Sequence, residues 1–373
     1  MRSRPLAALA ALAVAVVALA ALGRADACTS IRLKTTDGAV IYARTMEYAD
    51  NLHSGVLVVP KGTPFTGTLP DGSAKGLSFQ AKYGFVGMNA FNQPINCDGI
   101  NEKGLVVGAL LFPGYAGYQT FEPDEAGKTI AQFDMANWLL SQFATVAEVR
   151  QGLAGVRVCQ GPSTLHGVTV GPLPLHFTVH DAAGASIVIE HTGGKLTVYD
   201  NPLGVLTNAP DFEWMRIYLG NYVNLSAVNA APKDLAGFTV DPTGQGSGML
   251  GLPGDFTPPN RFLRMVALTQ TVTPVKGPEA GVALAMTIID NVDIPVGAVR
   301  DVSPQGVLRD YTQWVSTADA ARGRYYFRTY ANKNWRSVDV KSALAKAGTT
   351  LMNIPMETPA DYPDVTDMAR PMQ

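Results

Sequence analysis

The folded part of this chain has a fixed first residue. Arg2 and Arg4 precede an apolar stretch over residues 6–22, which closes on Ala25-Asp26-Ala27. A basic opening, an apolar middle and small residues before the break make the pattern that signal peptidase reads, so residues 1–27 are expected to be removed as a signal peptide. An uncleaved membrane anchor would carry a more strongly hydrophobic run than this Ala-rich one. Whatever fold forms must then begin at Cys28, without a leading arm, in a secreted or periplasmic protein.

Beyond Cys28 the chain alternates between apolar and polar residues. Ile31 and Leu33, then Val40 and Tyr42, flank Asp37-Gly38, which predicts a β-hairpin with a tight turn. Residues 62–76 predict a loop, and 85–117 short strands broken by turn signals. Apolar residues at near-helical spacing predict a helix over 129–143, and Thr145-Val-Ala-Glu148 opens a second with a capping box. Strands return at 176–181, 186–191 and 195–199. Helices are expected over 211–222 and 260–268, either side of a Gly/Pro-rich loop at 242–259. Late strands at 325–329 and 337–340 precede an extended tail after Pro355. Elements arriving in blocks, with no repeat and no linker, fit one α+β domain of layered sheets covered by helices over residues 28–373.

Removing 27 of 373 residues leaves 346, ample for a core that needs no disulfide. The excised segment holds three Arg and one Asp, so the net charge moves from −2 to −4. No basic run remains of the kind that binds nucleic acid or an acidic membrane surface. No other apolar run approaches membrane-spanning length, so stable insertion of the mature chain is not expected. A small-molecule partner, neutral or anionic, fits this balance. Of the three cysteines, Cys97 and Cys159 sit in apolar contexts and either bridge or stay as buried thiols, whereas Cys28 is set apart by position.

A cysteine exposed as residue one carries a thiol and an α-amino group whose unperturbed pKa of ~8 suits it to act as a base. Thiolate is the reactive form, and a neighbouring cation favours it. Antiparallel pairing can return Arg44 to the start of the hairpin, beside Cys28, and Glu47 three residues later can hold the amine. Away from a chain terminus the same two residues would be an ordinary surface ion pair.

These residues, with others downstream, resemble the choloylglycine hydrolases, the N-terminal nucleophile hydrolases that include bile salt hydrolases and penicillin V acylases. The resemblance is carried in family order by Cys28-Thr-Ser-Ile, Ala43-Arg44-Thr-Met-Glu47-Tyr48, Asp98-Gly-Ile-Asn-Glu-Lys-Gly-Leu105, Leu206-Thr-Asn208-Ala-Pro210, and Gly251-Leu-Pro-Gly-Asp255 with Asn260-Arg261-Phe262. It implies a four-layer αββα sandwich, a possible homotetramer, and hydrolysis of a linear amide through an acyl thioester. Carried over by position, it implies Cys28 as nucleophile, Arg44 beside the thiol, Asn208 as an oxyanion donor and Arg261 as a second charged support. The chain departs from the family twice. Glu47 stands where the family has Asp near the amine, and Leu111 where it has Asn or Tyr, leaving only a backbone N–H there as oxyanion donor. Tyr48, Phe91 and Phe112 flank these motifs and are candidates to line an apolar acyl pocket. Penicillin V, bile acid conjugates and N-acyl homoserine lactones all remain open as substrates.

No metal or cofactor is expected. Gly246-Ser-Gly-Met-Leu-Gly251 has the letters of a dinucleotide fingerprint but lacks a strand before it and a helix after. His176 and His180, four apart in a strand, lie ~13 Å from end to end, too far for one ion, and read as ordinary sheet residues. A lipoprotein lipidated at Cys28 is the alternative from another class, although Ala25 and Asp26 fit that signal poorly.

Overall fold

Tyr42, Asp98, Ser316 and Tyr325 meet at the centre of the molecule, and the two sheets that carry them define its architecture. The computed structural model describes residues 27–370 apart from 163, 166, 170–172 and 305. The segment expected to be a signal peptide, save Ala27, lies outside the described residues. One sheet runs, in spatial order, Thr29–Lys34, Val40–Tyr48, Gly306–Asp319, Arg324–Thr329 and Arg336–Asp339, with Val299–Ser303 pairing on the outer part of the long strand. The other runs Lys195–Asp200, Ser186–Thr192, Leu175–His180, Val106–Leu111, Gln93–Asn101, Phe85–Ala90, Gly55–Val59 and Met352–Pro355. Every pairing within these two sheets is antiparallel.

Helices Pro258–Thr271 and Pro278–Ile289 cover the outer face of the first sheet, and Met135–Gln142 packs on the outer face of the second. The result is the four-layer αββα sandwich. One apolar cluster fills the space between the sheets, among Tyr42, Val86, Ile100 and Tyr325, and continues on the helix side of the first sheet at Ile31 and Val315; a second lies under the helix at 135–142, among Phe85, Leu139, Leu140 and Phe177. Strands buried on both faces have no polar side, which is why Val106–Leu111 is apolar throughout.

The first hairpin forms as its alternation predicts, with Gly38 at φ +91° in the turn. Between the sheets, Tyr42, Ser316 and Tyr325 each donate a hydroxyl to the buried Asp98 carboxylate, at 2.8, 2.6 and 2.5 Å. Gly108 pairs with Asp98 in the second sheet, and a Cβ there would stand 2.3 Å from the Tyr42 hydroxyl, so only glycine lets the phenol cross.

Several elements differ from expectation. The helix expected over 129–143 begins only at Met135, because Thr129–Ala131 pairs in parallel with Arg157–Cys159 as a small sheet. The loop at 62–76 contains the short strand Pro64–Thr66. The helix at 211–222 relaxes into a 3-10 turn after Tyr218. The 14-residue strand Gly306–Asp319 and the helix Pro278–Ile289 were not anticipated.

Candidate active site

Cys28 is fully buried and opens the first strand, whose register sets Thr29 against Thr45 and Ser30 against Arg44. The hairpin thus returns Met46 and Arg44 to the cysteine. Cys28 Sγ lies 3.7 Å from Met46 Sδ, and Arg44 Nη2 approaches the same Met46 sulfur at 3.8 Å. The guanidinium is itself buried, donating Nη1 to the carbonyls of Cys97 (2.7 Å) and Ala109 (2.8 Å), with its Cζ 5.2 Å from the Trp314 ring centre. Burial works against that charge, yet Cys28, Tyr42 and Asp98 around it hold the Arg44 pKa above its ordinary value.

Two further strands of support come from afar in sequence. Leu206 pairs with Ser30 through both backbone hydrogen bonds, which carries Asn208 to the start of the first strand. Asn208 Oδ1 accepts from Cys28 N at 2.8 Å and from Arg261 Nη2 at 2.7 Å, while its Nδ2 donates to Leu111 O at 2.8 Å. Because both partners of Oδ1 are donors, the orientation of the amide is fixed. Arg261 sits in the first turn of a helix that starts on Pro258-Pro259, a residue type suited to that position. Its Nη1 reaches Cys28 O at 2.6 Å and Thr29 Oγ1 at 2.5 Å. Burial pushes the Arg261 pKa down to about 10, with Glu47 and Cys28 pulling the other way.

Burial also raises the Cys28 thiol pKa. Arg44 opposes that rise, Glu47 adds to it, and backbone N–H groups of Leu111 and Glu47 directed at the sulfur oppose it. With Ala27 still attached, then, the thiol is held protonated. Glu47 does not contact the Cys28 nitrogen. Its carboxylate accepts from Thr312 Oγ1 at 2.6 Å and Thr45 Oγ1 at 3.0 Å, and burial pushes its pKa up to about 8 against the pull of Arg261 and these two hydroxyls. Its oxygens turn to Thr45 on its own strand and Thr312 on the neighbouring one, while Asn208 holds the nitrogen.

A narrow apolar cavity opens onto Cys28, with about 50 Å³ of space that a water could occupy. Met46, Tyr48, Phe91, Cys97, Leu111 and Phe133 are among its walls. Tyr48 and Phe91 meet edge to face with ring centres 6.2 Å apart. Phe91 (φ +58°) and Asn92 (φ +53°) form the two-residue hairpin turn between Ala90 and Gln93, a turn that needs left-handed backbone at both positions. Phe112 is not a wall of this cavity, because its ring is buried against His176, 4.3 Å away and nearly parallel. All three cysteines are free thiols. Sequence reasoning missed Met46, Thr312 and the His176–Glu190 pair. None belongs to a chemical motif, and only the hairpin register could have pointed to Met46. No group of His, Cys, Asp and Glu among the described residues could hold a metal ion, and no described helix is long and apolar enough to cross a membrane.

Residues 28–348 match the profile of the linear amide C–N hydrolases, choloylglycine hydrolase family. The chain is 32% identical over 318 residues to a bile salt hydrolase/transferase of Clostridium perfringens, covering 84% of this chain and 92% of that one. It is 25% identical to a penicillin V acylase of Pectobacterium atrosepticum, over 81% and 77% of the two chains. Among solved structures, a conjugated bile acid hydrolase variant from Clostridium perfringens superposes with a TM-score of 0.79 at 28% identity, covering 91% of this chain and all of that one. The buried cysteine, the arginine beyond its Met46 neighbour and the asparagine that holds its nitrogen thus sit in a chain that belongs to the choloylglycine hydrolase family of linear amide C–N hydrolases.

Proposed function

We propose that the mature enzyme begins at Cys28 and hydrolyses a small N-acyl amine through an acyl thioester on Cys28 Sγ. The observation that carries this reading is the convergence of Arg44, Asn208, Arg261 and two backbone N–H groups on one buried cysteine at the head of a strand. The family match beginning at Cys28 supports it. Sγ attacks the carbonyl carbon and its proton passes to the α-amine. That proton then goes to the departing amine as the C–N bond breaks, and water releases the acid from the thioester. The negative oxygen of the tetrahedral intermediate takes donors from Leu111 N–H and the second Nδ2 hydrogen of Asn208. Glu47, whose oxygens accept from Thr45 and Thr312 and make no contact with Cys28 N, balances the charge of the liberated ammonium without bonding to it.

The cavity beside Sγ is proposed as the acyl site. Its narrowness favours an aryl or linear alkyl acyl group over a four-ring steroid. Kinetics on penicillin V, an N-acyl homoserine lactone and a conjugated bile acid test this. Turnover of either slender substrate well above the steroid conjugate is expected, and turnover of the bile conjugate alone would defeat the assignment. Export to the periplasm or medium is part of the proposal. Intact mass of the mature chain checks it, and a diacylglyceryl group on Cys28 would instead make the protein a lipoprotein. A homotetramer fits the exposed hairpin of Lys233–Leu235 and Phe238–Val240, where Leu235 and Phe238 offer apolar surface to a second copy of the chain. Light scattering on Phe238→Ser should report smaller particles than wild type.

A further inference from the structure

His176 and Glu190 lie on adjacent strands of the second sheet, behind the site and out of the reaction's path. Both are buried. His176 Nε2 lies 2.8 Å from the carbonyl oxygen of Thr207, the residue before Asn208, and Nδ1 lies 3.1 Å from Glu190 Oε1. The Glu190 carboxylate also accepts from Phe212 N, at 3.1 and 3.3 Å to its two oxygens. The loop that carries Asn208 is therefore gripped at Thr207 and at Phe212. On its other side the imidazole ring stacks on Phe112, the neighbour of Leu111. His176 also adjoins Leu175, which pairs with Leu111 across the strands.

We propose that His176 and Glu190 are positioning residues for the oxyanion side of the site, bracing Thr207-Asn208 and Leu111-Phe112 in one fixed relation. The proposal rests on the reading of Asn208 and Leu111 as oxyanion donors. Proton counting gives it content. A carbonyl oxygen only accepts, so Nε2 must carry a hydrogen. At 3.1 Å Nδ1 and Oε1 cannot face each other lone pair to lone pair, so one further proton lies between them. The ring thus donates from Nε2 and shares a proton with Glu190 at Nδ1, which fixes the Thr207 carbonyl, and through it the plane of the peptide leading into Asn208. The Asn208 amide then has Leu111 O on one side and Cys28 N on the other, so a tilt of the loop moves the Asn208 donor relative to the sulfur and to Leu111 N–H.

The test compares His176→Gln with His176→Asn, using whichever of the three amides wild type turns over best and counting active enzyme by acyl-enzyme burst. The Gln amide nitrogen can take the place of Nε2 and reach Thr207 O, whereas the Asn amide reaches only toward Glu190. Expected is a kcat within about threefold of wild type for His176→Gln. For His176→Asn a loss of about tenfold or more at nearly unchanged KM is expected, since misplacement by about an ångström can cost 10²-fold. Equal kcat in both variants, equal losses in both, or a change confined to KM would overturn the brace. Nitrogen-15 NMR of wild-type imidazole guards against variants that do not fold. A hydrogen-bonded Nε2–H at pH 7 is expected, and an unprotonated Nε2 would also overturn it. Asn208→Ala separates the two ideas. Full activity there ends the oxyanion reading itself, while its loss alongside a wild-type His176→Asn ends only the brace.

Discussion

Replacing Arg44 tests how the fold readies its cysteine, and the structure supplies the magnitude. The contacts of 3.7 and 3.8 Å through the shared Met46 sulfur bound the separation of Arg44 Nη2 and Cys28 Sγ at about 7.5 Å. At an effective dielectric of ~20, a unit charge at that distance favours the thiolate by about 2 kcal/mol, or about thirtyfold in population. Arg44→Met keeps bulk and removes the charge, so at a fixed pH below the thiol midpoint the thiolate should fall by that factor. A more basic thiolate is also more nucleophilic, which offsets about half of the effect on a logarithmic scale. The rate of alkylation of Cys28 by iodoacetamide should therefore drop about fivefold to tenfold. Arg44→Lys keeps the charge and should stay within about twofold of wild type. Removing the guanidinium also strips donors from the Cys97 and Ala109 carbonyls, at about 1–3 kcal/mol each, so the variant is compared only where circular dichroism shows it folded. A folded Arg44→Met that alkylates at the wild-type rate would refute the electrostatic role of the guanidinium.

Asn208→Ala should lower kcat by ~10²- to 10³-fold, measured as steady-state turnover of whichever amide proves the best substrate, because it removes the proposed oxyanion donor and the hold on the Cys28 nitrogen. Glu47, with its folded pKa pushed up to about 8 from an ordinary 4.5, binds a proton in the native state where the unfolded chain does not. In a chain that keeps Ala27, its contribution to stability is thus complete below about pH 4.5 and declines as pH rises to about 8; urea unfolding should show Glu47→Gln losing that slope, worth a few kcal/mol across the window. Gly108→Ala would drive a Cβ into the Tyr42 hydroxyl and push it off Asp98, so thermal unfolding should report a loss of about 1–3 kcal/mol or more.

The first hairpin was legible because apolar residues recur on either side of Asp37-Gly38, which marks its turn, and the same pairing returned Arg44 toward the cysteine. The strand Gly306–Asp319 was hidden for the opposite reason. It is covered on both sides yet keeps Thr312, Gln313, Ser316, Thr317 and Asp319 buried, so it shows neither alternation nor an apolar run. The partners of Thr312 and Ser316 lie far away in sequence, at Glu47 and Asp98, and no local pattern encodes them. Glu47 was placed near the site from its spacing, but which atoms it would reach depends on Thr312, some 265 positions later. Phe112 was expected to line the acyl pocket because it comes next after Leu111, and its ring instead turns to the His176 side of the sheet. His176 itself looked like an ordinary strand residue until Thr207 and Glu190 closed on its two nitrogens.

The proposed chemistry stands or falls on one residue supplying both attacking sulfur and proton-accepting amine. Quenching turnover in acid and sequencing the trapped acyl-enzyme by tandem mass spectrometry addresses both at once. Expected is a chain that starts at Cys28, with the acyl group on its sulfur and a free α-amine. An active enzyme that retains Ala27, or an acyl group found on any other side chain, would contradict it.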